Sequence, residues 1–130
     1  MDPALHFILI DDSKLDCFIT EKIIQSTGIC AGVKSFLEAA IALDYIKNNP
    51  ASADGAKVIL MVDIYMPLMN GFEFIEEFEK LSHEIRDLYS IFILSSSINE
   101  NDQNRAANYK TVKHFLNKPL NGDFLVSLLT

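Results

Sequence analysis

Short apolar runs alternate along this chain with stretches whose apolar residues recur at helical spacing. Continuous runs at residues 5–10, 57–62 and 91–94 predict strands that are buried on both faces. Weaker runs at residues 31–36 and 113–116 predict two further strands. Strands of this kind, buried on both sides, are typical of a parallel sheet that carries helices on its two faces.

The segments between these runs predict helices. The first begins after capping residues at 11–13 and ends at Gly28, and it places its apolar residues on one stripe: Leu15, Phe18, Ile19 and Ile23. The third begins at Gly71, again with an apolar stripe: Phe74, Ile75, Phe78 and Leu81. Residues 38–48, 99–109 and 123–129 predict the other three helices, whereas the small and polar residues 51–56 predict a loop. Five strands alternating with five helices predict an α/β domain with a parallel sheet and right-handed crossovers.

Length and charge narrow the possible functions. The 130 residues fit one domain, and we expect residues 1–130 to form it. The formal net charge of −7, from 18 acidic and 11 basic residues, disfavours binding to nucleic acid, because that affinity comes mostly from Lys and Arg. The sequence contains neither a secretory signal nor an apolar run long enough to span a bilayer, so we expect a cytoplasmic protein without membrane contact.

Polar residues follow the predicted strands at the points where each strand ends. Asp11 and Asp12 follow the first strand, Asp63 follows the third, Ser95 follows the fourth, and Lys118 follows the fifth. Each has an ordinary structural explanation when it is taken singly: a helix cap, a turn residue or a solvated surface charge. Ligands of open α/β sheets bind at the carboxyl ends of the strands, however, so we expect these side chains to form one site.

Three carboxylates, a hydroxyl and an ammonium together indicate phosphoryl chemistry. Clustered carboxylates repel one another unless a cation offsets their charge, and Mg²⁺ is a hard cation that binds carboxylates, waters and phosphate oxygens. Asp63 would then act as a nucleophile towards phosphorus. The ion, Lys118 and Ser95 would neutralise the oxygens of the transferring group.

The same residues resemble those of response regulator receiver domains in two-component signalling. The matching pieces are the acidic pair after the first strand, VDIYMPLMNG around Asp63, Ser95, Phe115 and the pair Lys118-Pro119. The resemblance covers essentially the whole chain and includes the single-domain chemotaxis regulators. It implies a flavodoxin-like doubly wound (βα)5 fold whose five-stranded parallel sheet has the order 2-1-3-4-5.

The resemblance also implies roles for the site residues. Asp63 would accept a phosphoryl group from the phosphohistidine of a sensor histidine kinase or a histidine phosphotransfer protein. Asp12, Asp63 and the backbone carbonyl of Tyr65 would hold Mg²⁺, with Asp11 acting through water, and Lys118 would pair with the phosphoryl group. Such a domain catalyses only its own phosphorylation and dephosphorylation, so it is a signalling switch rather than an enzyme with turnover.

In the family, the hydroxyl at the position of Ser95 moves towards the phosphoryl group, and an aromatic residue at that of Phe115 turns inward. This changes the packing of a face formed by the fourth predicted helix, the fifth strand and the last helix. Ser95 stands where Thr is more usual, and Phe115 lacks the hydroxyl of a tyrosine. Output would pass to a downstream protein target or to an output domain outside this sequence.

Three other functions agree less well with the residues. An Mg²⁺-dependent phosphatase with an aspartate nucleophile would place a second acid at position 65, where this chain has Tyr65. A flavodoxin-like cofactor binder would follow its first strand with a phosphate-binding loop rather than with two carboxylates. A receiver-like adaptor that acts without phosphorylation remains the main alternative, although the intact residues Asp12, Asp63, Ser95 and Lys118 argue against it.

Overall fold

The computed structural model describes residues 5–48, 57–97 and 99–130, and within them a parallel sheet lies between two layers of helices. The strands are β1 (Leu5–Ile10), β2 (Cys30–Phe36), β3 (Val58–Val62), β4 (Tyr89–Ser95) and β5 (Val112–Asn117). The helices are α1 (Lys14–Ser26), α2 (Ala39–Asn48), α3 (Gly71–Glu79), α4 (His83–Arg86), α5 (Glu100–Ala107) and α6 (Gly122–Leu129). The predicted loop at 51–56 lies outside the described residues.

All strand pairs are parallel, and the order is β2-β1-β3-β4-β5. The predicted fold class is therefore confirmed: a flavodoxin-like doubly wound sheet of five strands. The chain winds from β1 outward to β2 and then crosses back to β3, so the winding direction reverses between β1 and β3. The carboxyl ends of these two strands form the crevice in which open α/β sheets bind their ligands.

The two faces of the sheet bury separate apolar clusters, because successive residues of a strand point to opposite sides. Ile8, Ile10 and Leu60 pack with α2, α3 and Ala106 of α5 on one face. Phe7 and Leu9 face the other layer, where the core includes one residue from α1 and one from α6: Ile24 and Leu125. The sheet is thus covered on both sides, as the apolar strands predicted.

Three of the four residues on the predicted apolar stripe of α1 do not pack against the core. Leu15, Phe18 and Ile19 are exposed, with Leu15 at 67%. The helix instead buries a narrower face of mixed character: Cys17, Thr20 and Ile24. Ile23 is partly buried against the core, so it is the one member of the predicted stripe that packs inward. The sequence carries more apolar residues on α1 than the sheet covers, and periodicity alone does not show which of two adjacent stripes faces the core.

The structure contains one helix that the sequence pattern did not predict. The four residues of α4 follow α3 and precede β4, so the prediction of five helices is wrong for the described residues, which form six. Ser82 caps this turn by accepting a hydrogen bond from the backbone N–H of Ile85. A single turn is too short to show a helical period, which explains why the pattern missed it.

No helix among the described residues combines the length and the apolar character that crossing a membrane requires.

Candidate functional site

The carboxyl edge of the sheet brings the predicted strand-end residues together. Asp11 follows β1 and donates its backbone N–H to Phe36 at 3.0 Å, while Asp63 follows β3 and donates its own to Ile10 at 2.9 Å. These bonds extend the pairing of β1 with β2 and β3 by one residue, so both aspartates are fixed at the reversal point. Carboxylate oxygens of Asp11, Asp12 and Asp63 lie within 4.8 Å of one another.

Lys118 directly follows the outer strand β5, and its side chain extends to this cluster. Its backbone N–H donates to the carbonyl of Ser95 at 2.8 Å, which fixes it beside the end of β4. The following peptide bond to Pro119 is cis. The Lys118 ammonium lies 2.6 Å from Asp11 Oδ2 and 3.6 Å from Asp63 Oδ2. The lysine therefore compensates the two largely buried carboxylates directly.

Asp63 lies at the end of β3 with Lys118 and two other aspartates as its charged neighbours. Its side chain is 11% exposed, and one of its oxygens accepts the backbone N–H of Ile64 at 2.9 Å. Burial raises the pKa of Asp63 to about 6, aided by the charges of Asp11 and Asp12, although Lys118 and the Ile64 N–H oppose the rise. A cation bound beside ionised Asp63 would therefore stabilise the site, because it would offset the buried negative charge.

The Lys118 side chain is also largely buried, at 12% exposure. Burial by itself would lower the pKa of its ammonium. Hydrogen bonds to Asp11 and Asp16, together with the charge of Asp63, outweigh burial and hold the pKa of Lys118 above its ordinary value. Lys118 thus remains a fixed positive charge at the edge where Asp63 lies.

The donor set of the three aspartates fits a hard divalent cation. All their ligand atoms are carboxylate oxygens, and Asp12 is exposed to solvent, which leaves room for the waters that Mg²⁺ normally retains. This set of oxygen ligands can therefore hold a divalent cation.

Ser95 and Phe115 occupy neighbouring strands near the same edge. Ser95 is fully buried at the end of β4, where its hydroxyl accepts the backbone N–H of Ser97 at 3.1 Å. Phe115 pairs with Ile93 across β4 and β5 and is partly buried against the core that also contains α3. Ser95 thus lies on the strand next to β3, and Phe115 lies on the outer strand β5.

Hydrogen bonds within the loop after β3 hold the start of α3 close to Asp63. Asn70 and Glu73 form a capping box, in which each side chain accepts the backbone N–H of the other residue. Gly71 donates its N–H to the carbonyl of Ile64 at 2.8 Å. Tyr65, which is exposed in this loop, donates its hydroxyl to the carboxylate of Asp102 in α5.

The site contains one acidic residue that the strand-end pattern does not predict. Asp16, in the first turn of α1, accepts a hydrogen bond from the Lys118 ammonium at 2.9 Å. The prediction considered only residues that directly follow strands, and Asp16 lies five residues after Asp11. The available signal was an acidic residue in the first turn of a helix that begins at the site.

Comparison with known proteins gives the class to which this arrangement belongs. The family model of the response regulator receiver domain matches residues 7–130. A response regulator receiver protein from Dyadobacter fermentans is 32% identical with a TM-score of 0.88, and the match covers 97% of this chain and 95% of that one. A two component response regulator from Cytophaga hutchinsonii is 27% identical with a TM-score of 0.87, over 97% and 94% of the two chains. The chain belongs to the response regulator receiver domain family.

A curated relative is similar over almost the whole chain but is a much longer protein. The sensor histidine kinase CheAY of Helicobacter pylori is 28% identical over an alignment of 131 residues that covers 98% of this chain and 15% of that protein. The chain therefore spans less than a sixth of the length of this relative. The predicted recognition as a receiver domain of two-component signalling is confirmed.

Proposed function

We propose that Asp63 accepts a phosphoryl group from a phosphohistidine, with Mg²⁺ bound beside it, and that this modification switches a partner-binding face of the domain. The observation that carries the proposal is the position of Asp63 at the sheet reversal, with Lys118 Nζ 3.6 Å away and two more carboxylates within 4.8 Å. This combination supplies a nucleophile, a fixed cation and a set of hard oxygen ligands.

In the proposed transfer, a carboxylate oxygen of Asp63 attacks phosphorus and forms an acyl phosphate. The phosphorus–nitrogen bond of the donor breaks, and the departing imidazole nitrogen retains the electron pair and takes a proton from solvent. Asp12, Asp63 and the Tyr65 carbonyl would hold Mg²⁺, with Asp11 acting through water. When bound, Mg²⁺ would offset the negative charge on the carboxylates and phosphoryl oxygens. Lys118 and the Ser95 hydroxyl would hold the remaining phosphoryl oxygens.

The exposed residues of α1 support a protein donor for this reaction. Leu15, Phe18 and Ile19 expose apolar side chains. Ile19 also lines a pocket of about 240 Å³ together with Lys118, so the apolar surface is continuous with the site. A sensor histidine kinase or a histidine phosphotransfer protein that covers these residues would bring its phosphohistidine to Asp63.

The receiving face of the proposed switch consists of α5, β5 and α6. Tyr65 connects the loop after Asp63 to α5 through its hydrogen bond with Asp102. Arg105 of α5 lies over the ring of Phe72 at 4.3 Å and pairs with Glu76 at 3.3 Å, so cation–π and polar contacts help to hold α5 on α3. Such contacts are individually weak, which suits an element that changes its packing when roughly two negative charges are added at Asp63.

The phosphoacceptor role is tested by intact-protein mass after incubation with phosphoramidate, a small donor that contains a phosphorus–nitrogen bond. We expect the wild-type protein to gain one phosphoryl group in Mg²⁺ and none in EDTA, and Asp63→Asn to gain none. Asp44→Asn, which changes an exposed acid of α2, is the matched control and should behave as the wild type. Equal incorporation into Asp63→Asn would contradict the proposal.

The switch is tested by NMR spectra with and without beryllofluoride, which imitates the phosphoryl group on aspartate. We expect amide signals of α5, β5 and α6 to shift in the wild type. In Lys118→Ala, we expect shifts confined to residues around Asp63, because the cation that senses the phosphoryl group is absent. A wild-type spectrum that changes only around Asp63 would instead favour a receiver-like adaptor that binds partners without phosphorylation.

We also propose that the protein acts in the cytoplasm, with a downstream protein or a separate output domain as its target, and without nucleic-acid or membrane contact by this domain. The net charge of −7 supports the absence of nucleic-acid binding.

A further inference from the structure

The Lys118 ammonium contacts a third carboxylate that does not belong to the strand-end cluster. Asp16 Oδ2 lies 2.9 Å from Lys118 Nζ, whereas Asp63 Oδ2 lies 3.6 Å away. Asp16 is therefore a closer partner of the lysine than the proposed phosphoacceptor is. One ammonium group is shared among three acids, and the acceptor has the longest of the three contacts.

The structure of α1 fixes Asp16 in this position. Ser13 caps the helix, and its hydroxyl accepts the backbone N–H of Asp16 at 3.1 Å. A carboxylate in the first helical turn is stabilised there by the unpaired N–H groups and the helix dipole. Asp16 thus extends from the first turn of α1 towards Lys118 beyond the end of β5.

Asp16 and Asp11 differ in their access to water. The Asp11 side chain is 10% exposed, whereas that of Asp16 is 39% exposed. Asp16 and Lys118 also line one open pocket of about 240 Å³, with Thr20, Ser96 and Pro119. An exposed carboxylate that loses its ion-pair partner is readily hydrated. A buried carboxylate that loses its partner keeps an uncompensated charge, which costs much more free energy. Asp16 is therefore the acid that Lys118 gives up most easily.

We propose that Asp16 is a positioning residue that competes with the phosphoryl group for Lys118 and so limits how tightly the domain holds that group on Asp63. This inference rests on the proposed phosphoacceptor function. A phosphoryl group adds roughly two negative charges at Asp63 and draws the ammonium towards it. The contact with Asp16 must then lengthen, so part of the attraction between Lys118 and the phosphoryl group is offset by the loss of this ion pair.

The test is a beryllofluoride titration in Mg²⁺ on the wild type, Asp16→Asn and Asp16→Glu, with acetyl phosphate incorporation rates as a second measurement. In Asp16→Asn, Lys118 no longer has to give up an ion pair with Asp16 when beryllofluoride binds. Because an ion pair of this exposure is weak, we expect beryllofluoride to bind about two- to fivefold more tightly and the phosphoryl group to be incorporated faster. Asp16→Glu keeps the charge and should restore values near the wild type. Asp123→Asn, which changes a first-turn acid of α6, controls for the loss of one negative charge.

Unchanged or weaker beryllofluoride binding by Asp16→Asn would overturn the inference, as would an equal gain in Asp123→Asn. Circular dichroism and thermal unfolding should show that all variants are folded, since Asp16 is partly exposed. If the wild type takes up neither beryllofluoride nor a phosphoryl group, the proposed function itself fails and this inference fails with it. The wild-type measurement therefore distinguishes failure of the proposed function from failure of the inference about Asp16 alone.

Discussion

Gly71 lies so close to the backbone of Asp63 that a β-carbon at position 71 would stand 2.3 Å from the Asp63 carbonyl oxygen. The obstructing atom is backbone, so it cannot move aside as the end of a flexible side chain would. The hydrogen bond from the Gly71 N–H to Ile64 holds the two segments in this approach. The glycine that ends the motif after Asp63 therefore permits the turn that positions the proposed acceptor.

Gly71→Ala should destabilise the protein because the added methyl group forces α3 away from the end of β3. We expect a loss of about 1–3 kcal/mol in the free energy of unfolding, as for other overpacked sites, measured by urea denaturation. Gly122→Ala is the matched control, since Gly122 also begins a helix but its β-carbon would meet the nearest atom, a Thr27 methyl group, at 3.4 Å. Equal losses in the two variants would contradict the steric explanation.

The raised pKa of Asp63 predicts how the stability of the metal-free protein depends on pH. The folded-state pKa of about 6 lies above the ordinary value of 3.8, so the folded protein binds this proton more tightly than the unfolded chain does. The corresponding stabilisation is present below the ordinary pKa and is lost as the pH rises through about 6. Above that pH, the buried charge of Asp63 opposes folding.

Asp63→Asn, which removes this charge, should therefore be more stable than the wild type at about pH 8, by roughly 1–3 kcal/mol, and by less at about pH 4. Urea denaturation in EDTA at both pH values measures the difference. Addition of Mg²⁺ should reduce it at the higher pH by stabilising the wild type. A difference that stays constant with pH would show that burial of the Asp63 charge is not its cause.

Removal of Lys118 should destabilise the protein through the acids that it leaves behind. In Lys118→Ala the largely buried side chains of Asp11 and Asp63 lose their nearest cation, and breaking a buried ion pair from one side costs about 3–5 kcal/mol. Mg²⁺ should restore part of this loss. Lys113→Ala changes an exposed lysine of β5 and should have little effect on the urea midpoint. A similar loss in both variants would mean that Lys118 has no special role at the carboxylate cluster.

Leu68 adopts a backbone conformation that its side chain disfavours. Its φ of 70° lies in the left-handed region, and the residue is 93% exposed, so no packing compensates the strain. Leu68→Gly should raise the free energy of unfolding by about 0.5–1 kcal/mol. Leu68→Ala keeps a β-carbon and therefore the strain, so it should match the wild type. If Leu68→Ala raised the free energy of unfolding by the same amount, the cause would be loss of the exposed side chain rather than relief of backbone strain.

The sequence predicted the sheet and the strand-end residues because both depend on short-range patterns. Apolar runs define the five strands, and parallel topology then places residues such as Asp11 and Lys118 at one edge, although they are far apart in the chain. The structure brings these side chains together, and their roles in phosphoryl transfer stay predictions until they are measured.

The features that the sequence did not predict depend on tertiary packing. Phe18 and Cys17 are adjacent in α1, yet the cysteine is buried and the larger phenylalanine is exposed, because the space above the sheet decides which stripe packs inward. The contact between Asp16 and Lys118 joins a helix to a loop 102 residues away, which no local pattern indicates.

The most direct test of the central claim is the identity of the phosphorylated residue. After incubation with phosphoramidate and Mg²⁺, borohydride reduction converts an aspartyl phosphate to homoserine, which tandem mass spectrometry then locates in the peptide sequence. We expect homoserine at position 63, with every other aspartate unchanged. Homoserine at Asp11 or Asp12, or acid-stable phosphate on Ser95, would contradict it.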